Sequence, residues 1–152
     1  MSLFQVERNA LTPEIYATLR KTVGMKEFET EYVEKALRNT LFSVVVLENE
    51  KPVGIGRVIG DGSVAFFIKD VVVIPEKQGQ GIGKLIMVEI MEYIKREGAP
   101  NAYVGLMSLK GKEEFYKKFG FHIRPCNNEG NGMTQYLGEC GSYHSVKIEN
   151  EK

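Results

Sequence analysis

An apolar strand that runs into a glycine-rich turn and then a helix is the feature that most restricts the fold of this chain. Residues 71–74 are consecutive β-branched residues, and Pro75 then removes a backbone donor that a central strand would need. Gly79, Gly81 and Gly83 follow, where an apolar helical pattern begins. Because these glycines lack Cβ atoms, the backbone can approach a ligand closely, and the first helix amides can point at an anion. The segment therefore predicts a strand, a turn and a helix that form an anion-binding site.

The glycine spacing does not fit the two most familiar phosphate-binding motifs. A P-loop requires Gly, four further residues and then Gly-Lys-Ser/Thr. Aligned on Gly83, its first glycine would be Gln78 and its hydroxyl residue would be Leu85. A dinucleotide-binding fingerprint requires Gly-x-Gly-x-x-Gly, whereas the glycines here are each two positions apart and no βαβ unit opens the chain. Neither a P-loop nor a Rossmann site is predicted.

A third pattern, Gln/Arg-x-x-Gly-x-Gly/Ala, is matched by Gln78, Gly81 and Gly83. It resembles the acetyl-CoA pyrophosphate motif of the GNAT (GCN5-related) N-acetyltransferase family. Residues 115–121 resemble the other CoA motif of that family, a short helix that carries a tyrosine, here Tyr116, and closes at a glycine before a strand. The two motifs stand in the order that the family requires, so the resemblance implies an acetyl-CoA-dependent enzyme.

Composition is that of an ordinary soluble domain. The chain has 152 residues, with 20 basic and 20 acidic side chains, so no global charge attracts nucleic acid or an anionic membrane. No apolar run approaches the roughly 20 residues that span a bilayer, and the first residues do not read as a signal peptide. We expect a single cytoplasmic domain over residues 1–152, with residues 138–152 partly a tail.

The predicted elements alternate in a way that favours a mixed sheet. The strand at 102–107 follows a strand and a crossover helix, so it should lie parallel to residues 71–74. The expected fold class is α/β (α+β), with a mostly antiparallel sheet of about six to seven strands and helices on both faces. The resemblance implies that its one parallel pair is splayed. Strands are predicted at 4–7, 42–47, 53–59, 63–74, 102–107, 121–124 and 133–137, and helices at 12–23, 27–39, 81–97 and 112–119.

The resemblance also implies which residues hold CoA. The pantetheine arm would insert between the splayed strands and bond to the backbone of residues 71–73. The candidate CoA-binding residues are Val71, Val72, Val73, Gln78, Gly79, Gln80, Gly81, Ile82, Gly83, Lys84, Lys110, Gly111 and Tyr116. An asparagine that the family often has before the tyrosine is replaced here by Leu109. The nearby lysines fit either attraction of the CoA phosphates or a solvated helix face.

Transfer to an amine requires groups that move protons. An alkyl ammonium must lose a proton before it attacks, and Asp70 is the first candidate for the base, although it also fits a strand-end turn residue. Glu27, Glu29 and Glu31 are rival carboxylates, because in this family the first two helices cover the acceptor site. Tyr116 is the candidate acid for the leaving thiolate, and a backbone amide near residue 73 could stabilise the oxyanion.

Two histidines and two cysteines suggest a metal site or a covalent mechanism. His122, Cys126, Cys140 and His144 superficially read as a zinc tetrad. If residues 121–126 and 133–138 pair antiparallel, Cys126 lies far from Cys140, so no metal is predicted. A covalent mechanism would use Cys126 as the acyl-enzyme nucleophile and His122 as its partner. No helix N-terminus is predicted at Cys126 to activate the thiol, and direct transfer needs no covalent step, so this mechanism is not favoured.

The sequence thus predicts an N-acetyltransferase that moves an acetyl group from acetyl-CoA directly to a primary amine. A small-molecule amine is the first expectation for the acceptor, since residues 130–133 resemble a subgroup that includes arylalkylamine acetyltransferases. A protein or peptide amine is the rival. The alternative from another class is a CoA-binding sensor or structural module without transferase activity. The resemblance further implies pairing through the last strands, so a homodimer is expected.

Overall fold

The computed structural model describes residues 3–138 and divides the chain into two compact units, residues 1–112 and residues 113–152. The first unit contains the sheet and the long helices, and the second contains one short helix and the segment after it. The expected single domain stays a prediction, and all of the expected tail except Gly138 lies outside the described residues.

Five strands and three α-helices build the first unit. The sheet has the order β1-β2-β3-β4-β5, in which the first four strands are antiparallel and β5 is parallel to β4. This confirms the mostly antiparallel sheet with one parallel pair. The strands are β1 (Phe4–Arg8), β2 (Phe42–Glu48), β3 (Lys51–Gly60), β4 (Ala65–Val73) and β5 (Tyr103–Leu106), and the helices are α1 (Pro13–Thr22), α2 (Thr30–Arg38) and α3 (Ile82–Glu97).

Local sequence signals fix several of the element ends. The Thr12 hydroxyl accepts a hydrogen bond from the Ile15 amide at 3.2 Å, and Pro13 occupies the first helical position, so α1 begins there. Asn49 and Glu50, the two residues between β2 and β3, both have positive φ. Type I′ turns, which commonly form two-residue hairpin loops, have positive φ at both positions. α2 begins at Thr30, three residues later than its predicted start.

Helices cover both faces of this sheet. On one face, α1 contributes Leu19 to a buried cluster with Val45, Ile55 and Val72. On the other face, α3 lies over the two β3 glycines, where an added Cβ at Gly54 would meet Ile82 and one at Gly56 would meet Ile86 and Ile90. These three isoleucines are completely or almost completely buried. The predicted three-layer arrangement is therefore confirmed, and none of the described helices is long and apolar enough to cross a membrane.

The second unit is organised around an aromatic cluster. Its helix α4 (Glu113–Lys117) carries Phe115 and Tyr116, whose rings meet edge to face at 5.0 Å between centroids. Phe119 and Phe121 lie against them at 5.3 and 6.3 Å. Gly120 follows the helix with φ of 90°, which is the helix stop that the sequence predicts.

The predicted strands at 121–124 and 133–137 are not strands in the described structure, so the expected count of six to seven strands is not confirmed. Residues 121–138 make local contacts instead, including an isolated bridge between Cys126 and Glu129. His122 Nε2 lies 2.5 Å from Glu129, and the Arg124 side chain donates to the Gly130 carbonyl at 2.7 Å. A strand requires a partner to complete its ladder, and here the backbones of Cys126 and Glu129 bond to each other within the loop instead.

Candidate functional site

The parallel pair of strands separates partway along β4. Pairing with β5 runs from Ala65 to Ile68 on β4 and from Tyr103 to Leu106 on β5, after which β5 ends. β4 continues to Val73 while still paired with β3. Five residues of β4, about 16 Å of strand, therefore have no β5 partner. This open edge lies where the sequence predicts a splay.

The backbone of Val73 faces this open edge. The Ile74 amide donates to the Val53 carbonyl of β3 at 3.0 Å, and the direction of backbone groups alternates along a strand. The N–H and C=O of Val73 must then point away from β3. The Gln78 side-chain amide donates to the Val73 carbonyl at 3.1 Å, so the first residue of the motif is tied to the strand end.

The turn after β4 leaves the start of α3 open. A 3₁₀ turn (Pro75–Lys77) leads to Gly79 and Gly81, whose φ values of 82° and 84° favour glycine. A Cβ at either glycine would meet no other atom within 4 Å. α3 has no side-chain N-cap and no acidic residue in its first turn, so its first amides and its positive dipole end suit an anion.

The strand β4 contains a bulge at Asp70. Val72 pairs with Ile55 and Lys69 with Arg57, so Gly56 alone faces two residues of β4. Asp70 has φ of 56°. Before the bulge, the Phe66 side chain contacts Tyr93 of α3 on one face of the sheet. After the bulge, Val72 lies on the opposite face, in the buried cluster with Leu19 of α1. The bulge thus shifts the alternation of side chains by one residue.

Asp70 is buried between two arginines. One carboxylate oxygen accepts from Nη1 of Arg20 on α1, and the other accepts from Nε of Arg57 on β3 at 2.7 Å. Only 2% of the Asp70 side chain is exposed. Both carboxylate oxygens are occupied by guanidinium donors, so these contacts favour a structural role over that of a general base. Asp70 as the base stays a prediction, and sequence reasoning missed both arginines.

The two guanidinium groups also contact Tyr16 of α1. Arg20 lies 4.8 Å from the ring centroid of Tyr16 and Arg57 lies 5.7 Å from it. Burial raises the pKa of the Tyr16 phenol, and the charge of Asp70 raises it further, while both arginines oppose the rise. We call Tyr16, Arg20, Arg57 and Asp70 the arginine cluster. No local motif signals it, because its members come from three separate elements.

A cavity opens beside this cluster, between α1 and the segment that leads into α2. Its volume is about 220 Å³. Glu27, one of the rival carboxylates, lines it, whereas Glu29 and Glu31 do not appear in its wall. The lining residues are Tyr16, Ala17, Arg20, Met25, Lys26, Glu27, Phe28 and Val33.

The remaining predicted residues fall in two places. Lys110 and Gly111 follow the end of β5. Because β4 and β5 are parallel, their carboxyl ends lie at the same edge of the sheet, so these two residues follow β5 at the edge where β4 leads into the glycine turn. Tyr116 belongs to the second unit, where burial raises the pKa of its phenol. Its role stays a prediction.

The predicted absence of a metal also stays a prediction. Among residues 3–138, no three histidine, cysteine, aspartate or glutamate side chains are grouped to hold an ion. Cys140 and His144 of the zinc alternative lie outside the described residues. His122 instead pairs with Glu129, which lowers the pKa of that carboxyl.

An interrupted parallel pair, followed by a glycine turn and an uncapped helix, suits an extended ligand with an anionic end. The family model for the acetyltransferase (GNAT) domain matches residues 39–123, which is more than half of the chain. The chain belongs to the GNAT acetyltransferase family.

Curated relatives agree with this family. The chain is 34% identical over 110 residues to GCN5-related N-acetyltransferase 1, chloroplastic, of Arabidopsis thaliana, covering 71% of this chain and 55% of the relative. It is 30% identical over 109 residues to serotonin N-acetyltransferase 2, chloroplastic, of Oryza sativa subsp. japonica, covering 68% and 52%. The chain spans about half the length of these two relatives.

Solved structures share the fold. A protein of unknown function from meticillin-resistant Staphylococcus aureus, described as a probable acetyltransferase, is 38% identical with a TM-score of 0.80, covering 88% of this chain and 98% of that one. A GNAT family acetyltransferase from Streptococcus pneumoniae is 27% identical with a TM-score of 0.72, covering 90% and 99%.

Proposed function

We propose that the protein transfers an acetyl group from acetyl-CoA directly to a small primary amine. The single observation that carries the proposal is the open edge of β4, which runs directly into the glycine turn and the uncapped start of α3. This arrangement suits a ligand that has an extended arm and a pyrophosphate. GNAT acetyltransferases use acetyl-CoA as co-substrate, and the bound thioester supplies an activated acetyl carbon.

The chain binds this co-substrate through backbone groups. The amides at residues 81–84 face the pyrophosphate, since the positive φ of Gly81 turns the chain into the helix and no side chain blocks the approach. The Val73 N–H is free of β3 and bonds the arm or the developing oxyanion at the open edge. Lys84, Lys110 and Gly111 lie on exposed segments that can reach the phosphates.

Proton transfer completes the reaction. Tyr116 is the acid for the departing thiolate: a phenol has an ordinary pKa of about 10, burial raises the pKa of this one further, and the group therefore carries its proton at neutral pH. The acceptor binds at the cavity beside the arginine cluster, because Arg20 in its wall is bonded to Asp70, which lies three residues before Val73 of the open edge. The small volume of this cavity favours a small amine over a folded protein surface.

The first test measures CoA binding by calorimetry. Gly81→Glu places a carboxylate among the phosphate-binding amides, and we expect CoA affinity to fall at least about tenfold. Gly62→Glu is the matched control, since Gly62 has φ of 77° in a turn at the other end of β4 and carries similar backbone strain. Unchanged CoA affinity in Gly81→Glu would show that the phosphate site is misplaced.

The second test distinguishes an enzyme from a CoA-binding module. Release of free CoA is followed with a panel of amines in the wild type and in Tyr116→Phe. We expect turnover in the wild type and a loss of about 10²-fold or more in kcat for the variant, with CoA affinity retained. Tight CoA binding without turnover on any amine would support a sensor or structural module instead.

A further inference from the structure

We propose that the cavity beside Arg20 binds an anionic group of the acceptor, so that the amine substrate also carries a carboxylate or a phosphate. The inference rests on the proposed function, since it names the substrate class of that same site. Three features carry it: an excess of buried positive charge, a guanidinium that is held in place before the ligand arrives, and a cavity of suitable size.

The charge of the arginine cluster is not balanced within the described residues. Two guanidinium groups share the single carboxylate of Asp70, and the side chains of Arg20 and Arg57 are only 11% and 9% exposed. Glu27 also lines the cavity, but its side chain is 71% exposed and lies 3.7 Å from the Lys21 ammonium. The buried side of the cavity therefore carries an excess of positive charge from the arginine cluster, and an anion bound there would be stabilised.

Arg20 is oriented before any ligand binds. Its guanidinium lies between the rings of Tyr16 and Phe28, at 4.8 and 5.6 Å from their centroids. It donates through Nη1 to Asp70 and through Nη2 to the Lys26 carbonyl at 2.9 Å. A guanidinium has five N–H groups and these bonds use two of them, so further donors remain for a planar carboxylate or a phosphate. Little side-chain entropy would be lost on binding.

The size and lining of the cavity fit a short acceptor. A volume of about 220 Å³ corresponds to roughly seven water molecules at about 30 Å³ each. That space holds an anionic group and a short carbon chain. Met25, Phe28 and Val33 provide apolar contacts for the chain, while Arg20 holds its charged end. The amine at the opposite end of the ligand would then be directed out of the cavity.

The test compares acceptors of similar length with and without the anionic group. Release of free CoA is measured with n-butylamine, 4-aminobutanoate and 3-aminopropyl phosphate. We expect at least about tenfold higher kcat/KM for one or both anionic amines, and their ranking distinguishes a carboxylate from a phosphate ligand. Equal or higher kcat/KM for n-butylamine would overturn the proposal.

Variants then place the effect in the cavity. Phe28→Ala removes a ring that is 54% exposed, so the fold should tolerate it, and we expect the preference for the anionic amine to fall at least about threefold through KM. Arg20→Gln should abolish the preference. Arg96→Gln is the matched control, because it makes the same substitution at an arginine of α3 whose side chain is 66% exposed and does not line the cavity. An unchanged preference in both Phe28→Ala and Arg20→Gln would refute this location.

A binding measurement keeps the inference testable if Arg20→Gln does not fold or if no amine is acetylated. Butanoate and propyl phosphate are titrated into the wild-type protein, and the side-chain N–H resonances of Arg20 are followed by NMR. We expect saturable shifts that Phe28→Ala weakens and Arg96→Gln does not. Saturable shifts without turnover would refute the proposed function alone, whereas turnover on n-butylamine without such shifts would refute the anionic subsite alone.

Discussion

Replacing Asp70 by alanine tests the role of the arginine cluster in the fold. The substitution removes the carboxylate from two guanidinium groups that are about nine-tenths buried. Breaking a buried ion pair by deleting one partner costs about 3–5 kcal/mol, because the remaining charge stays desolvated. Alanine at a φ of 56° adds about 1 kcal/mol of backbone strain. We expect the free energy of unfolding to fall by about 4–6 kcal/mol, a large part of the total stability of a small domain.

Two further substitutions separate the charge from the backbone. Asp70→Gly removes the same carboxylate but accepts the positive φ, so it should be about 1 kcal/mol more stable than Asp70→Ala. Asp70→Asn keeps the side-chain shape and tolerates this conformation, so it should be the least destabilised of the three. Urea unfolding followed by circular dichroism measures all of them. A loss below about 1 kcal/mol in Asp70→Ala would refute the reasoning from burial and ion pairing.

The Asp70→Asn variant also distinguishes a catalytic role of Asp70 as the general base from a role in positioning the end of β4. If Asp70 is the general base, the rise of kcat/KM with pH on the acid side should disappear in Asp70→Asn. If Asp70 instead fixes the bulge that orients the end of β4, kcat should fall while that rise keeps its midpoint. We expect the second result, since both carboxylate oxygens are bound by arginines. Loss of the acid-side rise in folded Asp70→Asn would establish the base.

Two predictions concern packing and acid stability. Gly56→Ala would place Cβ 2.5 Å from Cγ2 of Ile86, so we expect overpacking to lower the free energy of unfolding in urea by about 1–3 kcal/mol. Gly130→Ala is the control: its Cβ would meet nothing within 4 Å, so its free energy of unfolding should be nearly unchanged. Amide hydrogen bonds, first from Ser63, lower the pKa of Asp61. The contribution of Asp61 to the stability of the folded protein should be fully present above the ordinary aspartate pKa, and it should be lost as pH falls through the lowered pKa of Asp61. The Tm difference between wild type and Asp61→Ala should therefore shrink in acid; a constant difference would contradict this.

The segment from β4 through the glycine turn into α3 could be predicted from the sequence because its determinants are local. β-branched residues, a proline and glycines in consecutive positions specify a strand, a turn and a helix start wherever they occur. The structure confirms those elements, with Gly81 at the helix N-cap and positive φ at Gly79 and Gly81. The wide apolar stripe of α3 likewise required a helix packed on the sheet.

The tertiary structure decided the surroundings of Asp70. The bulge at Asp70 could not be predicted from the sequence, because the uninterrupted apolar run after Asp70 has no alternation that could change. Such a shift is recognised only from the pairing with the partner strand. Arg20 lies 50 positions before Asp70 and Arg57 lies 13 before it, so only the packing of α1 and β3 brings their charges together. The strands predicted after residue 120 illustrate the same limit, because a strand forms only where another strand accepts its hydrogen bonds. The sequence by itself determined the strand, glycine turn and helix start through local backbone preferences, whereas non-local burial and pairing determined which charges lie beside the cavity at Arg20.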